Sequence, residues 1–161
     1  MSNLPRTPWG WRFGPFRGNS TTVITGCQEL PLLTRRILLD VTLGGRSLLR
    51  LMRHTWHRSD EDRDLHDHPW AFLTWIRGPV GYLEEVPKFH GSAYTWLDER
   101  RPGSILFRPA RFRHAVRFPT DYVDGTCVSY VLTGPRVRDW GFWSKGRWIP
   151  WREYGESRLC E

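Results

Sequence analysis

The most informative stretch of the chain is Asp64-Leu65-His66-Asp67-His68-Pro69-Trp70. Two histidines stand two positions apart at the start of a strand predicted over residues 68–77, and residues i and i+2 of a strand point to the same face. Their imidazoles can therefore converge on one metal ion. The same alternation predicts a mostly apolar wall beside them, formed by Trp70, Phe72 and Thr74.

A second segment supplies a third histidine. Residues 103–114 predict a short strand, a turn containing Pro109 and a returning strand that opens with His114. With Gly103, five residues, Pro109 and then His114 five positions later, this segment resembles the second motif of the cupin superfamily. The pair His66 and His68 resembles the first cupin motif, and together the two segments cover roughly residues 60 to 118.

The resemblance implies an all-β fold: an antiparallel cupin-type β-barrel (a double-stranded β-helix, jelly-roll-like) with little helix. It also implies that His66, His68 and His114 are the ligands of one divalent metal ion. In overall layout the chain resembles small single-domain metal-binding cupins of bacteria and their phages. That group provides a fold and a metal but no established reaction.

The chain departs from the cupin pattern at two places. The glutamate that usually follows the second histidine is replaced by Phe72 or Leu73, so the carboxylate ligand is missing. Three-histidine sites occur in cupins, notably in the thiol dioxygenases, so this loss is compatible with a metal. The turn glycine before the last histidine is replaced by Arg111, which indicates a turn without a left-handed residue or an arginine recruited to the barrel mouth.

Three further residues are candidates for a fourth ligand or a hydrogen-bond partner behind the ligands. Glu84 lies on the predicted hairpin partner of the histidine strand, although a solvent-facing acidic pair with Glu85 is the favoured interpretation. For His54 we favour packing or an outer hydrogen bond over metal ligation. Asp67 alternates away from the metal, where it can accept a ring N–H or pair with an arginine; Asp64 or Asp60 can act in the same way.

The rest of the chain predicts one domain. Residues 1–20, rich in Pro, Gly and aromatics, are predicted to form an irregular arm packed on a single cupin domain over residues 21–161. Turns are predicted at 44–45, 78–79, 101–103, 134–135 and 145–146. Strands are predicted at 22–26, 35–42, 47–57, 68–77, 80–86, 93–97, 104–108, 113–118, 125–133 and 147–151.

Composition narrows the function classes. The chain has 161 residues, a formal charge of +7 and ten tryptophans, four of them in the segment 140–151 that we expect to cap one end of the barrel. The basic charge is carried almost wholly by arginine, which binds carboxylate and phosphate with two parallel hydrogen bonds. A small anionic ligand is therefore plausible, whereas the dispersal of the arginines makes nucleic acid a less favoured partner.

Cysteine usage and hydropathy predict a cytoplasmic protein. Cys27, Cys127 and Cys160 are widely spaced and odd in number, which predicts neither a disulfide framework nor a zinc ribbon. No apolar run is long enough to span a membrane, and no secretory signal is visible at the N-terminus. An exposed sheet edge would favour a homodimer.

Three functions remain open at this stage. The first is a mononuclear non-haem iron(II) oxygenase, in which Arg111, or its neighbours Arg108 and Arg113, fixes a small anionic substrate and Tyr82 or Tyr130 donates a hydrogen bond to bound oxygen. The second is a sugar or acid isomerase, epimerase or lyase using Zn, Mn or Ni. The third is a non-catalytic module that binds an anionic ligand or nucleic acid. His57 and His90 are expected to take no part in the chemistry.

Overall fold

The computed structural model of the chain describes residues 2–3, 6–25, 30–60, 64–89, 92 and 94–154. These ranges hold one short helix, α1 (Trp151–Tyr154), and otherwise strands and turns. The strands in chain order are β1 (Ser2–Asn3), β2 (Trp11–Phe13), β3 (Phe16–Gly18), β4 (Ser20–Thr25), β5 (Pro31–Leu43), β6 (Arg46–Trp56), β7 (Leu65–His66), β8 (Phe72–Ile76), β9 (Tyr82–Pro87), β10 (Thr95–Arg100), β11 (Ile105–Arg108), β12 (Ala115–Arg117), β13 (Val128–Thr133), β14 (Gly141–Ser144) and β15 (Arg147–Pro150). Within the same ranges no helix is long and apolar enough to cross a membrane.

The strands form three antiparallel sheets. The largest runs in the order β1-β4-β5-β6-β13-β8-β11, with β3 also paired to β5 and β2 paired to β3. The second has the order β10-β9-β12, and the third has the order β15-β14-β7. Within the described residues no single sheet closes on itself, so the barrel-like interior is enclosed by the facing sheets together. The antiparallel all-β architecture with little helix that the sequence predicts is confirmed.

Alternating burial divides β8, β9 and β13 into an inner and an outer face. The buried positions of β8 are Phe72, Thr74 and Ile76, two residues apart, as expected for a strand with one face on a core. A core cluster spans two sheets, since Leu33 and Trp56 of the large sheet pack with Tyr82 of β9. The metal candidates and the polar residues discussed below face this shared interior.

Two glycine-containing turns follow their predicted positions. Gly44 and Gly45 connect β5 to β6 with φ values of 54° and 77°, which glycine adopts without steric cost. Lys145 and Gly146, with φ of 49° and 77°, connect β14 to β15, the double left-handed arrangement of a tight hairpin turn.

The histidine segment is organised differently from the prediction. The predicted strand over 68–77 begins only at Phe72, and His66 instead belongs to the two-residue strand β7. The predicted hairpin between this strand and residues 80–86 does not form, because β8 pairs with β11 and β13. Strand β9 lies in another sheet, between β10 and β12.

The N-terminal segment contains more strand than expected. The predicted irregular arm includes the hairpin of β2 and β3, and β3 pairs with Val41 and Asp40 of β5. Trp9 packs against the core cluster that contains Ile37 and Met52. Phe13, by contrast, is largely exposed. The segment is therefore attached to the core through Trp9.

Candidate metal centre and its cavity

The interior contains a cavity of about 550 Å³. Most of its wall is aromatic or aliphatic, including Trp56, Trp70, Phe72 and Tyr82. Three histidines, His66, His68 and His114, share this wall with a smaller set of polar residues. A mostly apolar cavity with a few convergent polar groups is the usual form of a small-molecule site.

The three histidines predicted as ligands lie together. One ring nitrogen from each of His66, His68 and His114 falls within 4.8 Å of the others. The Nε2 atoms of His68 and His114 are 2.8 Å apart. Two remote stretches of chain therefore meet at one point, as the sequence motifs imply.

Backbone pairing brings these stretches together. His66 and His114 form an antiparallel bridge in which each amide donates to the other carbonyl at 3.0 Å. The amide of His68 donates to the carbonyl of Ala110 at 3.1 Å. These bonds hold together the main chain from which the three side chains project.

Glu84 holds the imidazole of His114. This glutamate is 1% exposed, and its Oε1 accepts a hydrogen bond from His114 Nδ1 at 2.8 Å. Arg100 Nε and Arg108 Nη2 donate to Oε2 at 2.7 and 2.5 Å. Burial alone would raise the pKa of Glu84, but the hydrogen bonds from His114 and Arg108 outweigh it and lower the pKa.

This arrangement defines the tautomer of His114. An ionised carboxylate can only accept, so Nδ1 of His114 carries the hydrogen and, in the neutral ring, Nε2 presents a lone pair. Glu84 is therefore not the solvent-facing residue that the sequence favoured. Both of its oxygens accept hydrogen bonds, and one of these bonds orients the ring of His114.

Burial keeps two of the histidines neutral. It lowers the pKa of His66 to about 4, with a further lowering by His114 opposed by Asp60. Burial, followed by the charges of His114 and His66, also lowers the pKa of His68 well below its usual value. Neutral imidazoles are the metal-binding form, because the lone pair of a ring nitrogen must be free.

The residues present fit a divalent first-row metal ion. The buried Nδ1 of His66 has no hydrogen-bond partner in the described part of the chain, and a buried polar atom without a partner is costly. Three imidazole nitrogens suit Fe, Zn, Mn or Ni and leave coordination positions open. Such a metal would sit on His66, His68 and His114, with Glu84 orienting one of them.

Asp67 has a structural role in this structure. It is completely buried, and its carboxylate accepts hydrogen bonds from the Gly141 amide at 2.9 Å and from Trp148 Nε1 at 3.0 Å. Arg138 forms an ion pair with it at 2.5 Å. Of the two roles expected from the sequence, the structure shows the pairing with an arginine.

His54 lies apart from the three-histidine cluster but on the same cavity wall. Its Nε2 accepts a hydrogen bond from Arg35 Nε at 3.3 Å, and its ring meets Trp56 edge-on at 6.3 Å between centroids. Burial and the charge of Arg35 lower the pKa of His54 well below its usual value. The packed, hydrogen-bonded role favoured from the sequence agrees with this placement.

Tyr82 is the predicted catalytic residue that reaches the cavity. It is buried in the wall, and burial, reinforced by the charge of Glu84, raises the pKa of its phenol. Tyr130 does not line the cavity, because it faces outward and contacts Trp75 with 6.1 Å between ring centroids. Strand alternation explains the difference, since Ser129 and Val131 occupy the inner positions of β13.

The arginine predicted to bind substrate does not reach the cavity. Arg111 is exposed and is absent from the wall. Asn19 and Lys145 are the described non-glycine residues with positive φ, so the turn at Arg111 needs no left-handed residue. Arg108 is engaged by Glu84, and Arg113 lies over the Trp143 ring at 4.4 Å.

The remaining polar candidates near the histidines have partners elsewhere. Asp60 lines the cavity, but its Oδ2 accepts from the Val116 amide at 2.7 Å. Asp64 accepts from the Tyr154 hydroxyl at 2.9 Å. His57 bonds Thr34 at 2.8 Å and Asp124 at 2.6 Å, away from the cavity wall. His90 lies outside the described residues.

The C-terminal aromatic segment closes part of the cavity. Trp140 and Trp151 stack with 5.7 Å between ring centroids, and Phe142 stacks on Tyr154 at 3.9 Å. All four rings line the cavity. The expected capping role of this tryptophan-rich segment fits their position.

Two charged residues of the cavity wall were not predicted from the sequence: Arg152, which pairs with Asp139 at 3.0 Å, and Arg35. Arg35 lies on β5 between Leu33 and Ile37, both of which are buried. Alternation across these three positions is the signal that could have placed Arg35 on the inner face. From the sequence the adjacent pair Arg35 and Arg36 was interpreted only as dispersed charge, and Arg35 was given no role.

Comparison with known proteins identifies the fold. No family model matches the chain, and no curated protein matches it in sequence. Among solved structures, that of Fe(II) HppE aligns with a TM-score of 0.52 and 9% identity, covering 70% of this chain and 56% of that one. A cupin-2 domain from Rhodospirillum rubrum aligns with a TM-score of 0.49 and 15% identity, covering 88% and 76%. The chain has a cupin fold, and it spans little more than half the length of the HppE chain.

Proposed function

We propose that this cupin-fold protein binds one divalent metal ion on His66, His68 and His114 and uses it to transform a small organic substrate in the adjoining cavity. The observation that carries the proposal is the meeting of three imidazoles within 4.8 Å of one another beside a cavity of about 550 Å³. Three protein ligands leave coordination positions for a substrate, the feature that separates catalytic from closed structural metal sites.

Iron(II) is the metal we favour, and oxygenation is the reaction. When bound, iron would supply the activation of dioxygen, the chemistry associated with open non-haem sites of neutral and anionic ligands. HppE, which shares the fold, was solved as an Fe(II) protein. The proposal places the protein in the reducing cytoplasm, where a free buried thiol such as Cys127 is stable.

The residues around the cluster have separate tasks in this proposal. Glu84 orients His114 through the 2.8 Å bond to Nδ1 and increases the basicity of the opposite nitrogen. The aromatic wall, with Trp70 and Phe72 next to the histidines, excludes bulk water from the substrate. Tyr82 keeps its proton because the pKa of its phenol is raised, so it can donate a hydrogen bond to a substrate oxygen.

The test is iron loading followed by an activity screen. Protein purified without a histidine tag is stripped, loaded with Fe(II) under anaerobic conditions and mixed with oxygenated solutions of thiols and small carboxylic acids. We expect substrate-dependent oxygen uptake by the wild type and its loss in His68→Ala and His114→Ala. His57→Ala is the matched control, because His57 lies away from the cavity wall and should leave uptake unchanged.

Two outcomes would redirect the assignment. Oxygen uptake that is absent across the panel with iron fully bound would contradict the oxygenase. Turnover with manganese, nickel or zinc and no oxygen uptake would instead identify a sugar or acid isomerase, epimerase or lyase on the same histidines.

A further inference from the structure

Arg35 is a cation without a counter-ion in the cavity wall. Arg35 is part of the cavity wall, and within the described residues its side chain donates one hydrogen bond, from Nε to His54 Nε2 at 3.3 Å. In the described part of the chain no carboxylate lies within ion-pair distance of it. Burial, with Arg50 and Arg6 adding to the effect, lowers the pKa of Arg35 to about 10, so the group is still charged at neutral pH.

The other arginines directed at the interior are neutralised. Arg100 and Arg108 pair with Glu84 at 2.7 and 2.5 Å. Arg17 and Arg50 pair with Asp40. Arg152, which also lines the cavity, pairs with Asp139 at 3.0 Å. Arg35 is the exception within the described ranges, and a desolvated charge without a partner is unfavourable unless a ligand supplies the opposite charge.

We propose that Arg35 and its cross-strand neighbours form an anion subsite that binds the carboxylate of a monocarboxylic acid with an apolar body. This subsite deepens the function proposed above and rests on it, because it positions the substrate beside the three histidines. It assigns to Arg35 the substrate-fixing role that was predicted for Arg111.

Strand register builds the subsite as a row of polar groups. Arg35 is opposite His54 in the β5–β6 pair, and His54 is opposite Ser129 in the β6–β13 pair. All three line the cavity. Thr74 of β8 also lines it, two residues away from this row, because Thr74 is opposite Val131. Adjacent pairs in a sheet are about 5 Å apart, so one small oxyanion can contact more than one of these groups.

The donors in this row match a carboxylate. His54 Nε2 accepts from Arg35 Nε, which leaves the terminal guanidinium nitrogens to face a ligand with their planar fork. The hydroxyls of Ser129 and Thr74 are buried and able to donate. A single cation selects a single negative charge, and the neighbouring Met52, Val131 and Trp56 provide apolar contacts for the rest of the ligand.

The subsite is close to the histidine cluster. Arg35, His54 and His68 line the same cavity. His68 also contacts Phe72 edge-on at 4.6 Å between centroids, and Phe72 packs in the same core cluster as Met52. A carboxylate held at Arg35 would therefore direct its apolar body along a wall that ends at the metal ligands.

The test is ligand binding to matched acids and amides. Saturation-transfer NMR, which detects millimolar binding, is recorded with butyrate, hexanoate and phenylacetate, with the corresponding primary amides and with the corresponding phosphonates. Zinc-loaded and metal-free protein are compared, since zinc is redox-inert and any direct carboxylate-to-metal contact disappears without it. We expect at least one carboxylate to bind both forms and to bind more tightly than its amide and its phosphonate.

Substitution of neighbouring arginines isolates the subsite. Arg35→Gln should weaken carboxylate binding about 10- to 100-fold, the effect of losing hydrogen bonds to a charged group. Arg36→Gln is the matched control, because Arg36 is exposed and bonds Asn19 at 2.6 Å, so binding should be unchanged. Arg35→Met keeps the side-chain length without the charge, and its melting temperature without ligand should equal or exceed that of the wild type.

Each contrary result has a distinct meaning. Absence of carboxylate binding to the wild type, equal effects of Arg35→Gln and Arg36→Gln, preference for phosphonates, or a lower melting temperature of Arg35→Met would each overturn the subsite. Metal content, measured on the same samples, separates this from the proposed function. Wild-type protein that takes up no metal contradicts the metal enzyme, whereas metal-loaded protein that ignores carboxylates contradicts the subsite alone.

Discussion

Two charged residues on β5, Asp40 and Arg35, have opposite surroundings. Asp40 is completely buried, and its carboxylate is met by Arg17 at 2.8 Å, by Arg50 at 3.0 Å and by the hydroxyl of Ser47. Arg35, five residues earlier, faces the cavity with a neutral imidazole as its hydrogen-bond partner. The first charge is neutralised within the protein, whereas the second is available to a ligand.

The difference distinguishes a charge that the protein neutralises with its own residues from a charge that it leaves without a counter-ion. Burial alone would raise the pKa of Asp40, but hydrogen bonds from Arg50, Ser47 and Arg17 outweigh it and lower the pKa. The folded protein therefore stabilises this charge. Arg35 receives no such stabilisation from the described residues, and its pKa is lowered. A buried charge whose environment opposes it is a candidate for function.

The largest effect is expected from removing the neutralised charge. Asp40→Ala leaves Arg17 and Arg50 next to each other without their shared carboxylate, and breaking a buried ion pair of this kind costs about 3 to 5 kcal/mol. The free energy of unfolding, measured by urea denaturation monitored through tryptophan fluorescence, should fall by that amount. Metal content and carboxylate binding of the remaining folded protein should be unchanged.

An exposed ion pair provides the control for Asp40. Glu99 and Arg101 are 2.9 Å apart with side chains 59% and 77% exposed, and solvent-exposed pairs contribute little. Glu99→Ala should unfold at the wild-type urea concentration. Equal destabilisation by Glu99→Ala and Asp40→Ala would refute the distinction between the two kinds of charge.

A smaller effect is expected at Glu84, which accepts hydrogen bonds from Arg100 and Arg108 and from the predicted ligand His114. Glu84→Gln keeps the shape but weakens the bond that orients His114, and loss of such an outer hydrogen bond lowers metal affinity about 10- to 100-fold. Zinc titration against a competing chelator measures the change. Glu85→Gln is the neighbour control, because Glu85 pairs with Arg117 outside the cavity wall. If Glu85→Gln lowered the zinc affinity as much as Glu84→Gln, the result would argue against a role of Glu84 in orienting His114.

The smallest effect concerns pH and His54. Its folded-state pKa is lowered well below 6.5 by burial and Arg35, so below pH 6.5 the unfolded chain binds the proton and the folded chain does not. Stability from this group is complete above about pH 6.5 and falls as the pH decreases, by at most about 1.4 kcal/mol per pH unit. His54→Gln should reduce the slope of the unfolding free energy of metal-free protein between pH 5 and 6.5. An unchanged slope would mean that His54 binds a proton in the folded protein as readily as in the unfolded chain. That result would contradict an unpaired, charged guanidinium beside His54.

The strands and turns were predicted from local patterns, whereas the cupin-type fold and the histidine cluster were predicted from a resemblance. Alternating apolar residues marked the long strands, and glycines marked turns such as Gly44 and Gly45. The three histidines followed from the resemblance to two cupin motifs. Their meeting depends on the backbone bridge between His66 and His114, which the motifs imply but no local pattern shows.

Glu84 and Arg35 were misjudged for a common reason. Each is a charged residue between two buried apolar residues of its strand, Tyr82 and Val86 in one case and Leu33 and Ile37 in the other. The alternation placed both on the inner face, but their charge favoured a surface position. Their roles depend on long-range strand pairing, which sets Glu84 beside His114 and Arg35 beside His54. For Glu84 the predicted partner strand was wrong, because β9 pairs with β10 and β12.

The most direct measurement is the metal content of untagged protein. After stripping and separate incubation with Fe(II), Zn(II), Mn(II) and Ni(II), elemental analysis by mass spectrometry should find about one ion per chain for at least one metal. His57→Ala and Arg35→Gln should retain that ion, and the double variant His68→Ala/His114→Ala should lose it. Wild-type protein that holds none of the four metals, or a double variant that holds as much as the wild type, would contradict the metal centre.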